Sequence, residues 1–177
     1  MSLDLSVYTR IQLLRAGERD DDFEEAHGSA IDGDVVYLWA NPDFPDHSEG
    51  HVDGYYRVER SAEQIDMSLR ASFYNFWRSE LCLMCTGQPI KEVWANGVVA
   101  EGFMPLLDFG DNEGFIGPAR CRQLAADFQA WAGRARQHAQ QLAHRESAEV
   151  ANSWLQIYDA WTRLFAAAAP NGVVQFH

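Results

Sequence analysis

From residue 67 onward, apolar side chains recur at intervals of three and four. Leu69, Phe73, Phe76, Trp77, Leu81 and Met84 form one run, and Cys121, Leu124, Phe128, Trp131, Ala135 and Leu142 a second. Val150, Trp154, Ile157, Tyr158, Trp161 and Phe165 form a third. Such spacing puts each set on one face of a helix. The later part of the chain must therefore press three long amphipathic helices against an apolar partner. Gly87 ends the first run as a C-terminal cap, Pro118 suits the first turn of the second, and Pro170-Asn171-Gly172 ends the third.

The first 66 residues follow another rhythm. Leu3, Leu5 and Val7 alternate with Asp4 and Ser6, Asp34 to Ala40 is rich in β-branched and aromatic residues, and Val52 to Val58 carries Tyr55 and Tyr56. These are strand patterns. Asn41-Pro42-Asp43-Phe44-Pro45-Asp46 is expected to be a loop, since each proline pushes the residue before it out of the helical region. Val98 to Phe109, apolar and interrupted by Gly102 and Pro105, is expected to be extended, and Val173 to Phe176 returns to the sheet. The layout is α+β: a small, largely antiparallel sheet packed by about three long helices. At 177 residues a single domain is expected, strand- and loop-rich over 1–66 and helix-rich over 67–177.

Charge divides the chain at the same place. Residues 1–66 hold sixteen Asp/Glu against five Arg, a net −11, whereas residues 67–177 are at −1. Six acids fall between Glu18 and Glu25 alone. A net charge of −12 opposes sequence-independent binding to nucleic acid or an anionic membrane, both of which need clustered Lys/Arg. Asp20, Asp21, Asp22, Glu24 and Glu25 are the candidate contacts for a basic protein partner. Arg120, Arg122, Arg134, Arg136 and Arg145 read as a solvated helical face. No run approaches the length of a membrane span, and the start lacks the basic-then-apolar layout of a signal peptide. With only three cysteines, the expected setting is reducing and cytoplasmic.

Met1-Ser2-Leu3-Asp4, Asn41-Pro42-Asp43-Phe44-Pro45, Tyr74-Asn75-Phe76-Trp77-Arg78, the stretch from Pro105 through Asp111-Asn112-Glu113-Gly114-Phe115-Ile116-Gly117-Pro118, and the closing Val173 to His177 occur in an order that resembles a family of small uncharacterised proteins of bacteria and of phages or prophages. The resemblance spans nearly the whole chain and implies no activity.

Two groups carry metal-binding chemistry. Asp108, Asp111 and Glu113 put three carboxylates in a Gly-bounded turn, as Ca²⁺ or Mg²⁺ would want; the plain alternative is a strand-to-helix turn whose acids satisfy free backbone N–H groups. Asp43, Asp46, His47, Glu49, His51 and Asp53 combine imidazole with carboxylate, a set suited to Zn²⁺, Mn²⁺ or Fe²⁺. Pro45 and Gly50 place that group in a solvated loop. His177 could join either group. Asp108-Phe109-Gly110 is not a kinase turn, because the glycine-rich loop, strand lysine and catalytic loop are missing. Cys82-Leu83-Met84-Cys85 lies late in an apolar helix and reads as core thiols rather than a redox pair. No nucleophile elbow, zinc-protease helix or phosphate loop occurs. Two function classes follow: a non-enzymatic interaction protein of inhibitor or immunity type with an acidic surface, or a metal-binding protein or metal-dependent enzyme built on the 108–113 turn.

Overall fold

The computed structural model describes residues 2–14, 35–60, 67–109 and 114–177. The acidic candidates Asp20, Asp21, Asp22, Glu24 and Glu25, and the turn residues Asp111 and Glu113, lie outside the described residues. The chain runs β1 (Ser2–Leu13), β2 (Val35–Leu38), α1 (Pro45–Ser48), β3 (Gly54–Arg60), β4 (Met67–Arg70), α2 (Ala71–Thr86), α3 (Ile90–Asn96), α4 (Met104–Asp108), β5 (Gly114–Ile116), α5 (Pro118–Arg145), α6 (Ala148–Ala168) and β6 (Val173–Phe176). The α+β expectation holds: among the described residues a six-stranded antiparallel sheet meets three long helices, α2, α5 and α6, with α1, α3 and α4 as short additional helices.

β1 organises the sheet. Its N-terminal half pairs with β4 and its C-terminal half with β3 along one edge, while Leu5 to Tyr8 pair with β6 along the other. The strand order is β2-β3-β1-β6-β5. Leu3, Leu5 and Val7 face the helices with Val174, Phe176 and Ile116. A bulge between Tyr8 and Arg10 then shifts the pleat by one residue. Tyr8 and Ile11 thereby share the opposite face with Leu38, Tyr56, Val58, Phe115 and Val173, a second apolar cluster. The sheet curls around that cluster until Gln175 Nε2 on β6 donates to the carbonyl of Tyr37 on β2 at 3.2 Å.

Over the first face, α5 and α6 form a hairpin in which Ser147 caps α6 by accepting from the Val150 N–H at 3.2 Å. Trp77, Phe128, Trp154, Tyr158, Trp161 and Phe165, all but fully buried, fill the space between helices and sheet. Gly87 caps α2 in the left-handed region at φ +70°, as the spacing predicts. No helix among the described residues is long and apolar enough to cross a membrane. The three thiols are free, Cys82 and Cys121 buried and Cys85 half-buried; burial pushes Cys85 up to about 12, far from the thiolate a redox pair needs.

Two expectations are corrected. Residues 67–70 are a strand and the helix starts at Ala71, because Leu69 fits a period of two as well as one of 3.6. The segment 98–109 is not extended throughout. Phe103 sits at φ +63° with its N–H held by Asp127 Oδ2 at 2.9 Å, and Pro105 then falls in the first turn of α4, where its missing N–H costs nothing.

The turn from α6 into β6 passes against β1 with no room to spare. A Cβ on Gly172 would lie 2.0 Å from the carbonyl oxygen of Tyr8 and 2.9 Å from that of Ala168. Gly172→Ala should therefore force β6 away from β1 and cost about 2–3 kcal/mol or more. A urea melt would register that as a lower midpoint; an unchanged midpoint would show that the approach is looser.

Candidate functional site

The loop from Ala40 to Asp53 is folded on itself. The Ala40 N–H donates to Asp53 Oδ1 at 2.7 Å and the Asp43 N–H to Asn41 Oδ1 at 3.0 Å. Pro45 then starts α1, a single turn that puts His47 and Ser48 inward. Glu49 (φ +56°) and Gly50 (φ +81°), both left-handed, end that turn. The reversal brings the loop onto the start of α5. The Gly117 N–H donates to the His47 carbonyl at 2.8 Å, and the Glu49 carboxylate accepts the N–H groups of Ala119, at 2.9 Å, and Arg120. Glu49 is thus the N-cap that Gly117 cannot supply, provided from 70 residues away. Its charge also opposes the helix dipole favourably. Glu49→Ala should lower stability by about 1–2 kcal/mol, read as a fall in melting temperature. A variant melting with the wild type would mean that water caps α5 equally well.

This docking forms a cleft of about 240 Å³ lined by Asp43, Phe44, Asp46, His47, Asp108 and Arg120, among others. The two sequence groups, far apart in the chain, meet here through His47 and Asp108. The solvated-loop expectation fails for His47, which is only 7% exposed. Its ring stacks on Phe44 at 5.3 Å and meets the edge of Phe109 at 4.8 Å. His47 Nδ1 is buried without a hydrogen-bond partner. Burial, aided by the nearby Arg120 guanidinium and opposed by Asp46, brings its pKa down to about 4, so the imidazole is neutral at neutral pH. Arg120 donates through Nε to the Asp46 carbonyl at 3.4 Å and through a terminal nitrogen to Gln123 Oε1 at 2.9 Å. Asp108 ends α4; burial raises its pKa, against a hydrogen bond from Trp94 and the charge of Arg78. The cleft therefore offers a neutral imidazole, carboxylates and one guanidinium over an aromatic wall.

The other candidates go elsewhere. His51 donates from Nδ1 to the Ser48 carbonyl at 2.8 Å and packs on Phe115. His177, just past the C-terminal end of β6, pairs its Nε2 with Ser6 Oγ at 3.1 Å. Among the described residues no group of three or more His, Cys, Asp or Glu could hold a metal ion. Glu49 belongs to the imidazole–carboxylate group of the sequence, but no local signal marks it as a cap, since its partners lie on another element. Comparison with protein-family models, with curated proteins and with solved structures finds no match to this chain.

Proposed function

We propose that the protein is a non-enzymatic interaction protein, of the inhibitor or immunity type, that takes a basic protein partner through its acidic N-terminal third in a reducing, cytoplasmic setting. Its resemblance to phage and prophage proteins fits that role. The supporting observation is an exposed aromatic surface at the strand that follows the acidic stretch in the sequence. Tyr37 on β2 and Trp39 just after it are 48% and 36% exposed, with Tyr55 edge-on to Tyr37 at 5.2 Å. That strand follows directly after residues 15–34, which hold eight acids and two arginines. Exposed aromatic faces beside carboxylates suit Lys and Arg side chains, through cation–π contact and charge together. Single-sign charge raises the association rate and makes it salt-sensitive.

The test is capture of cationic protein from a host lysate. Replacing Asp20, Asp21, Asp22, Glu24 and Glu25 by Asn or Gln should abolish capture, Tyr37→Ala with Trp39→Ala should weaken it, and salt should release the partner from the wild type. Equal capture by the neutralised chain at the same salt would reduce the acid to a solubility device.

A second reading, metal binding or metal-dependent chemistry at Asp108, Asp111 and Glu113, is favoured by the meeting of Asp108 and His47 in one cleft. Calorimetric titration with Mg²⁺, Ca²⁺, Mn²⁺ and Zn²⁺ addresses it, since an ion that binds only the folded chain must raise its melting temperature.

A further inference from the structure

An acidic surface needs a basic one to meet, and the chain carries one on its helical half. Arg134, Gln137, His138, Gln141 and Arg145 lie along one stripe of α5. With Leu83, Met84 and Gly87 at the end of α2 they line a groove of about 460 Å³. Both guanidiniums are held in position. Arg134 lies over the Trp131 ring, 4.4 Å from its centroid, and Arg145 donates to Glu80 Oε2 at 2.6 Å. The same carboxylate oxygen pairs with His138 Nε2 at 2.8 Å, and His138 packs on Trp154 at 5.1 Å. Glu80 is thus turned inward on its partners, and its side chain is only 14% exposed. Arg134 and Arg145 remain exposed at the rim, with most of their five N–H donors directed to solvent. In a chain of net −12, this groove is lined by cations, amides and apolar groups.

We infer that the groove takes the acidic stretch Asp20-Asp21-Asp22-Phe23-Glu24-Glu25 of a second copy of the chain. The inference rests on the acidic-capture reading above and gives the acidic stretch a further basic surface to meet, the groove of another copy. Arg134 and Arg145 are eleven positions apart, about 16 Å along a helix axis. In an extended segment Asp21, Phe23 and Glu25 point the same way, and the two carboxylates stand about 13 Å apart. Two long arginine side chains cover the difference. Each meets a carboxylate in the paired geometry that guanidinium favours. Phe23 falls between them, over the half-buried Leu83 and Met84, and the Gln137 and Gln141 amides face the peptide backbone. Reciprocal exchange between two copies closes a two-fold dimer rather than an open chain.

Sedimentation velocity of the full chain over a rising concentration series at low salt should show a monomer–dimer equilibrium. The Arg134→Gln/Arg145→Gln variant should weaken it at least about tenfold, as should the variant neutralised at the five acids. Mixing the two variants should return a complex, since each supplies the surface the other lacks. On the wild type, a labelled peptide Asp-Asp-Asp-Phe-Glu-Glu should bind and shift the equilibrium toward monomer. This arm stands even if a variant misfolds. A chain that stays monomeric throughout overturns the inference, as does dimerisation that survives both arginine substitutions. Displacement of the peptide by inorganic phosphate at equal concentration would mark a plain anion site and overturn it too. If the arginine substitutions leave dimerisation intact while acid neutralisation still abolishes lysate capture, the acidic reading stands and only this partner falls. If neutralisation changes neither, both fall.

Discussion

Trp77→Ala should cost about 3–5 kcal/mol, a large part of the roughly 5–15 kcal/mol that holds an ordinary domain folded. Trp77 is fully buried. Its ring stacks between Trp154 at 6.2 Å, Trp161 at 5.8 Å and Phe128 at 6.5 Å, so one side chain joins α2 to both long helices of the hairpin. Two hydrogen bonds reinforce the stack reciprocally. Trp77 Nε1 donates to the Trp154 carbonyl and Trp154 Nε1 to that of Trp77, each at 3.1 Å. Alanine removes the ring and leaves a cavity that stiff neighbouring indoles cannot refill. Trp77→Phe keeps most of the volume and loses one donor, so its cost should be nearer 1–2 kcal/mol. Urea melts of the two variants separate the terms. A loss below about 1 kcal/mol for the alanine variant would show that the aromatic stack is not the centre of the core.

That core is also the part of the fold most legible in the sequence. Trp77, Phe128, Trp154 and Trp161 repeat at helical spacing over runs long enough for the period to be unambiguous, and burial follows from the period. Short elements escape such reasoning. β5 is three residues long, from Gly114 to Ile116, too short to show alternation, and α4 carries Pro105 in its first turn, a residue as common in breaks as in first turns. The cleft was legible only as residue types. His47 and Asp108 each carry recognisable chemistry in the sequence, but nothing local says that Phe44 and Phe109 close over the imidazole. Nor does anything local say that Glu49 reaches the start of α5. Such contacts are set by the sheet's curl and the helix docking, which no window of neighbouring residues encodes. The arginines of the α5 groove read as a solvated face because periodicity registers only which side of a helix is polar. It does not register that α2 ends beside that side.

As pH falls from 6.5 toward 4, the protein should lose up to about 3 kcal/mol of stability through His47 alone. Its folded pKa is about 4 against an ordinary 6.5. Between those values the unfolded chain takes up a proton that the folded chain refuses. The contribution is therefore complete above pH 6.5 and is lost as acid approaches the folded value. Burial is the main cause: a charged imidazole would sit among Phe44 and Phe109 with Nδ1 lacking a partner. Arg120 adds repulsion and Asp46 offsets part of it. Asp108 in the same cleft works the other way, since burial raises its pKa and the fold favours its protonated form. The informative quantity is thus the difference between the wild type and His47→Phe, a ring that suits the aromatic wall and carries no proton. Urea midpoints at closely spaced pH values should show the wild type falling relative to the variant across this window. A flat difference would mean that the fold accepts the imidazolium. The neutral imidazole that the cleft offers at neutral pH would then have no physical basis.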